Sequence, residues 1–327
     1  MNANLTPTVQ PERLVLHEHI PLATPLVVYI EPSGYCNLKC IFCPHGVDGK
    51  ALKKDIMSMK LFEKLINDLS SFPNAVKLLR ICGNGDPLMS KDIVKMMRYA
   101  RKQKKAERME LVTNALLLTD DLIKNLPLFL DRIIVSIEGL TADDYQRACS
   151  AKIDYDHLLS NLKDLYACKG ECVIHIKTFE ETVLSESRKT TFFNMFSDIC
   201  DEIYIEKLVP MWPQLNTTNH PDEFRWGGAL IKHQVCAQIF KGIQIQADGE
   251  AVPCCVDWKR VNVLGNIGEN SLSEIWNGVR LRKLQIEHLI GNKIKTEPCK
   301  DCTMNDYCEV DNIDLRAEEC LSRIKQQ

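Results

Sequence analysis

Nothing in this 327-residue chain is built to span a membrane: no apolar run approaches the ~18–20 residues of a crossing helix. The start, Met1 to Gln10, lacks the charged-then-apolar pattern of a secretory signal. A large excess of one charge sign is missing as well. The formal net charge is −3, so no general attraction to nucleic acid or to an anionic membrane is expected. No internal repeat or low-complexity segment stands out. These absences describe a cytoplasmic protein of ordinary composition, with neither nucleic acid nor membrane as a partner.

Cysteine, by contrast, is abundant, with fifteen in the chain. Without an export signal, clustered Cys-x2-Cys spacings are better explained by metal ligation in a reducing compartment than by disulfides. The first set lies in Glu31-Pro-Ser-Gly-Tyr-Cys36-Asn-Leu-Lys-Cys40-Ile-Phe42-Cys43, spaced Cys-x3-Cys-x2-Cys. Three thiolates on one short loop can hold three irons of a four-iron cluster and leave the fourth open to another ligand. Zinc is the competing occupant. It prefers Cys-x2-Cys pairs and a closed fourth position, and no Cys or His completes this loop cleanly, although His45 lies two residues on.

A second set comes later: Cys236-x17-Cys254, a gap of 44 residues, then Cys299-x2-Cys302. Between them, 241–255 reads as a hairpin turning at Asp248-Gly249. Ser271-Leu-Ser-Glu274 is a capping box opening a helix to about His288. Four thiolates gathered this way make a closed site, for a second four-iron cluster or for tetrahedral zinc. Cys82, Cys149, Cys168, Cys172 and Cys200 have no ligand spacing and are expected mostly as small buried apolar residues.

Between the two sets the pattern alternates strand and helix. Strands are expected at 26–31, 76–82, 109–113, 131–138, 172–178 and 202–208. Helices are expected at about 58–71, 90–105, 119–126, 154–168 and 186–199, with Ser58, Ser90, Thr119, Asp154 and Ser185 or Ser187 as caps. Six βα units in a row imply an α/β fold with a parallel sheet and right-handed crossovers. Residues 1–25, with four prolines, read as an extended lead-in. Period-two alternation puts His175 and Lys177 on one face, with Ser136 and Glu138, and Tyr204 and Glu206, on matching faces of neighbouring strands. Those polar faces are expected inside the barrel, the apolar ones under helices. The basic run Arg101–Arg108 reads as a solvated helix end.

The first loop resembles the signature of the radical S-adenosylmethionine (SAM) superfamily. The resemblance implies a partial (βα)6 barrel and a 4Fe-4S cluster whose open iron takes the amino and carboxylate groups of SAM. Reduction, by an external protein such as a flavodoxin or ferredoxin, then splits a carbon–sulfur bond to give a 5′-deoxyadenosyl radical. Phe42 would pack near the adenine. The stretch Gly83-Asn84-Gly85-Asp86 resembles the family's Gly-Gly-Glu segment, which holds the SAM amino group, with Asp86 replacing Glu. Thr113-Asn114-Ala115 resembles the Thr-Asn-Gly end of strand three, with Ala115 for Gly. Ser136 and Arg147 match further SAM-contacting positions.

The later region, with Gly249-x4-Cys254 and Asn266-Ile followed by Ser271-Leu-Ser-Glu-Ile-Trp276, is similar to the SPASM/twitch extension. Fuller SPASM domains carry two auxiliary clusters, but Asn312 stands where a further cysteine is expected. The single-cluster frame is therefore Cys236, Cys254, Cys299 and Cys302, and the alternative is Cys299, Cys302, Cys308 and Cys320. The expected divisions are a lead-in 1–25, a core 26–235, an iron–sulfur domain 236–310 and a tail 311–327.

Three function classes follow. The first is oxidation or epimerisation of a sugar, cyclitol or similar small molecule, the second modification of a peptide or protein side chain, and the third electron transfer without catalysis. Modifiers of peptides often carry a binding domain before the core, and about 25 residues precede it here. Candidate bases are Glu138, Glu206, His175 and Lys177. Cys255, or Cys308, is a candidate hydrogen donor.

Overall fold

In the computed structural model, residues 2–8, 14–212 and 222–326 are described. Ten strands form one sheet: β1 (Asn4–Leu5), β2 (Val27–Ile30), β3 (Val76–Ile81), β4 (Ala106–Thr113), β5 (Arg132–Ile137), β6 (Val173–Phe179), β7 (Glu202–Glu206), β8 (Gly242–Ile245), β9 (Glu250–Val252) and β10 (Gly265–Asn266). Their order is β1-β7-β6-β5-β4-β3-β2-β8-β9-β10. Strands β2 to β7 pair in parallel with their chain neighbours. Parallel neighbours need crossovers, and helices supply them. This is the partial (βα)6 barrel that the sequence implies.

The expected caps mostly form. Ser58, Thr119, Asp154 and Ser185 accept from the backbone N–H of Leu61, Leu122, His157 and Arg188. Ser90 does not cap; its helix begins later, at Ile93. A helix that the pattern does not announce spans Ala142–Cys149, capped by Thr141. It buries few apolar side chains, chiefly Tyr145 and Cys149, so its periodicity is faint.

Alternation sorts the faces as expected. Ile133, Val135, Ile137, Ile174, Ile176 and Ile203 are buried in the main core, each contributing about 1.5–3 kcal/mol. The opposite face is polar and turned inward. Near the strand starts it forms an ion network: Glu110 with Arg80 at 2.6 Å, Arg108 at 2.9 Å and Arg132 at 3.8 Å, and Glu202 with Arg132 and His175. The basic run is not simply a solvated helix end. The helix stops at Gln103, Lys104 turns left-handed, and Arg108 enters β4 to pair with Glu110.

The lead-in is more than an extended tail. Asn4 and Leu5 add a strand beside β7, and Leu16–His19 forms a helical turn; residues 1 and 9–13 lie outside the described residues. The hairpin of β8 and β9 turns at Asp248-Gly249, with Gly249 at φ +89°. Only glycine takes that conformation without cost. β8 pairs in parallel with β2, from Val27↔Gly242 to Ile30↔Ile245, so the later region extends the barrel's own sheet. The helix after Ser271 is broken in two, Leu272–Trp276 and Val279–Leu289, where Gly278 adopts an extended conformation and starts the second piece.

Candidate active site

The loop after β2 carries Cys36, Cys40 and Cys43 beyond the carboxyl end of the sheet, where ligands of parallel folds bind. Backbone bonds fix it in place. Lys39 N–H donates to Cys149 O at 3.0 Å and Ile41 N–H to Ala148 O at 2.9 Å, so the unannounced helix holds the loop down. Cys36 and Cys43 are half-buried and Cys40 is buried against Cys149. Burial pushes the Cys36 thiol up to about 12 and the Cys43 thiol to about 11, so metal binding here must release protons.

The three thiols open on a cavity of about 260 Å³. Phe42, Gly83, Gly85, Asp86, Asn114, Ser136 and Glu138 share its walls. Phe42 stacks edge-on against Phe179, with centroids 5.1 Å apart. Asn84, Arg147 and His45 do not line the cavity. Arg147 is largely exposed and pairs with Asp144 on its own helix.

The glycines serve the protein's own packing. A Cβ on Gly83 would stand 2.4 Å from the Glu31 side chain, and one on Gly85 would stand 2.2 Å from Ser33 O. They let the segment press against the cysteine loop. Glu31, fully buried, accepts from Asn84 N–H at 2.6 Å, and desolvation lifts its carboxyl to about 7. It braces the Gly83–Gly85 segment from outside the cavity wall, a role that motif reading passed over, although an acid closing an apolar strand before proline was a signal. Asp86 is turned toward β4, where its oxygens accept from Thr113 Oγ1, Asn114 N and Leu88 N. Asn114 donates to Asn37 Oδ1 at 2.8 Å. Ala115 holds φ +62°, the left-handed conformation that suits the glycine it replaces.

The candidate bases separate. Glu138 lines the cavity, buried, with Oε2 unpartnered among the described residues. Desolvation raises its carboxyl to about 7, against the pull of Lys177. Glu206 is spent: it pairs with Lys177 and Arg225, each at 2.7 Å, and accepts from Thr8 and Trp226. Those cations outweigh its desolvation and hold it well below the usual carboxylate range. His175 sits in the ion network at the strand starts, away from the cavity, and burial lowers its imidazole. Arg225, which no motif marked, borders this cavity and also a larger one of about 740 Å³.

The second set also meets. Cys236, Cys254, Cys299 and Cys302 line one enclosed cavity of about 20 Å³. Cys308 and Cys255 instead face the larger cavity, and Cys320 lies against His17 O. The alternative frame therefore does not share a space. A small apolar cluster of Cys254, Val256 and Met304, flanked by Met211, Trp212 and Cys255, stands where the three cavities approach one another. Among the described residues neither set converges closely enough to hold a single metal ion; the thiols surround cavities instead. The donor sets, three thiols beside an open space and four around a closed one, fit a cluster with one free iron and a cluster with none. No helix among the described residues is long and apolar enough to cross a membrane.

Two family models match the chain: the radical SAM superfamily over residues 30–183, and SPASM, an iron–sulfur cluster-binding domain, over 236–303. The chain belongs to the radical SAM superfamily and carries a C-terminal SPASM domain. It binds SAM on a 4Fe-4S cluster and holds auxiliary iron–sulfur in the SPASM domain.

Similar curated proteins include a tungsten-containing aldehyde ferredoxin oxidoreductase cofactor-modifying protein of Pyrococcus furiosus, 26% identical over 86% of this chain and 88% of the relative. Another is the SAM-dependent 2-deoxy-scyllo-inosamine dehydrogenase of Niallia circulans, 22% identical over 90% of this chain and 95% of the relative. Among solved structures, BtrN with AdoMet and 2-DOIA aligns at TM-score 0.57, 20% identity, over 88% of this chain and 95% of that one. Native anSMEcpe with bound AdoMet aligns at TM-score 0.60, 15% identity, over 92% and 97%. At these identities the structures establish a shared fold.

Proposed function

We propose that this enzyme oxidises a C–H bond beside a hydroxyl in a sugar, cyclitol or similar small polyol, with Glu138 as the base. The observation that carries this is Glu138 itself, a buried carboxylate with one oxygen unpartnered among the described residues, on the same cavity wall as Cys36, Cys40 and Cys43. In the reaction H–C–O–H becomes C=O. The carbon loses a hydrogen atom, the hydroxyl proton passes to Glu138, and one electron is left to remove. When bound, SAM on the first cluster supplies the hydrogen-abstracting radical and the second cluster a one-electron acceptor. Cys36, Cys40 and Cys43 hold the first cluster. Phe42, Gly83, Gly85, Asp86, Asn114 and Ser136 shape the SAM pocket. Cys236, Cys254, Cys299 and Cys302 hold the second. Likeness to the inosamine dehydrogenase across nearly its whole length supports the substrate class.

The core over 26–235 and the iron–sulfur domain over 236–310 divide this work, in the cytoplasm, with a flavodoxin or ferredoxin as reductant. A second reading, epimerisation, is favoured by Cys255, a thiol facing the larger cavity beside Arg225. Solvent deuterium would enter the product carbon in that case and not in the first.

The test is anaerobic incubation with SAM, dithionite and a panel of aminocyclitols and sugars, measuring ketone and 5′-deoxyadenosine. We expect Glu138→Gln to lower ketone formation about 10²–10⁴-fold while 5′-deoxyadenosine still forms. In the parent, turnover should rise with pH through about 7, because only the ionised Glu138 accepts a proton. Undiminished turnover by Glu138→Gln sinks the base. Consumption of a peptide, with every polyol untouched, sinks the substrate class.

A further inference from the structure

His288 stands in the last turn of the helix Val279–Leu289, with no exposed surface. Neither ring nitrogen has a hydrogen-bond partner among the described residues. Burying a polar group without a partner is costly, so it calls for a reason. The ring stands in the wall of the small cavity that Cys236, Cys254, Cys299 and Cys302 enclose.

Its polar neighbours on that wall are engaged. Asp257 accepts from Val261 N–H at 2.8 Å and Asn262 N–H at 2.7 Å. Lys293 Nζ donates to Cys302 O at 3.3 Å. Asn305 donates to His233 O, and its oxygen, unpaired among the described residues, is an acceptor, of no use to sulfur. A thiolate or sulfide needs donors, and a neutral imidazole offers one N–H.

We propose that His288 donates its ring N–H to a sulfur of the second cluster and thereby sets that cluster's reduction potential. Hydrogen bonds to the sulfurs are among the terms that fix such potentials. The bond is stronger to the more negative, reduced state, so it raises the potential and makes the cluster a better electron acceptor. This would suit an oxidation that leaves an electron to be removed. The proposal rests on the assignment of these four cysteines to a second cluster, and the experiment separates the two.

Iron and sulfide are first measured anaerobically on the full chain. About four irons per chain instead of about eight would remove the second cluster, and the proposal with it. With both clusters present, potentiometric EPR follows the signal that SAM does not perturb. His288→Leu is expected to keep its iron and to lower that midpoint by about 59 mV, a tenfold change in the reduction equilibrium. His288→Gln, which keeps an N–H donor, should recover most of the shift. Pulsed EPR of the parent should show a proton coupling that heavy water removes and His288→Leu lacks. An unmoved midpoint in His288→Leu at full iron content overturns the proposal. A strong nitrogen coupling in the parent overturns it too, because His288 would then be a ligand. Loss of the second cluster from both variants also overturns it, because the residue would then be structural.

Discussion

The two cysteine sets differ most in their surroundings. Cys36, Cys40 and Cys43 look into about 260 Å³ bordered by Asn114, Ser136 and Glu138. Cys236, Cys254, Cys299 and Cys302 close on about 20 Å³ walled by Ile239, Pro253, Pro298 and Met304, with His288 among them. At the first, hydrogen-bonding groups gather where a small molecule must enter and leave. At the second, apolar side chains exclude water from a group that stays. The contrast matches the count of thiols, three against four, and it agrees with the proposal that bond-breaking chemistry falls to one site and electron handling to the other.

The largest effect should come from emptying the open site. Changing Cys36, Cys40 and Cys43 together to Ala should abolish 5′-deoxyadenosine formation under dithionite and leave about four irons per chain. Continued cleavage of SAM would break the contrast outright. Next comes the closed site. Cys299→Ala should give a folded enzyme that cleaves SAM without forming product, read by separate assays of 5′-deoxyadenosine and ketone. Loss of a ligand also weakens the small domain, so circular dichroism must accompany the assay. Normal turnover in a folded variant lacking the second cluster would show that the closed site is a structural staple.

The smallest effect sharpens the description of the open site. Ala115→Gly should relieve the left-handed strain of about 1–2 kcal/mol, offset by about 0.5–1 kcal/mol of added chain entropy. Thermal melting should rise by about 1–2 °C, with SAM cleavage unchanged. A lower melting temperature would mean that φ +62° is not the working conformation.

The first set was legible because it is a local pattern, and the second because its separated cysteines fit the spacing of the extension it resembles. Spacing alone brought Cys36, Cys40 and Cys43 onto one loop, and strand alternation placed Glu138 and Ser136 on the inner face. Distant pairings were not legible. Nothing in the order of residues says that Glu31 receives Asn84 N–H, 53 positions away. Nor does it say that Arg225, in a stretch without periodicity, neutralises Glu206, while Glu138 Oε2 has no partner among the described residues. The same blindness covered His175 and His288. Both are buried histidines, but one is held in an ion network and the other, among the described residues, has no hydrogen-bond partner beside four thiols. A single strand or helix pattern cannot tell these apart, because the difference lies in what other segments bring to them.

The in-register union of β8 with β2 decides how the molecule can be taken apart. If the chain were cut after Val235, Val27–Ile30 would become a bare sheet edge. Its backbone donors and acceptors would lie open on a strand whose Val28 and Ile30 have no exposed surface in the whole protein. Such an edge is a template for another chain, and aggregation is the usual outcome. The barrel's edge is therefore closed by the later region.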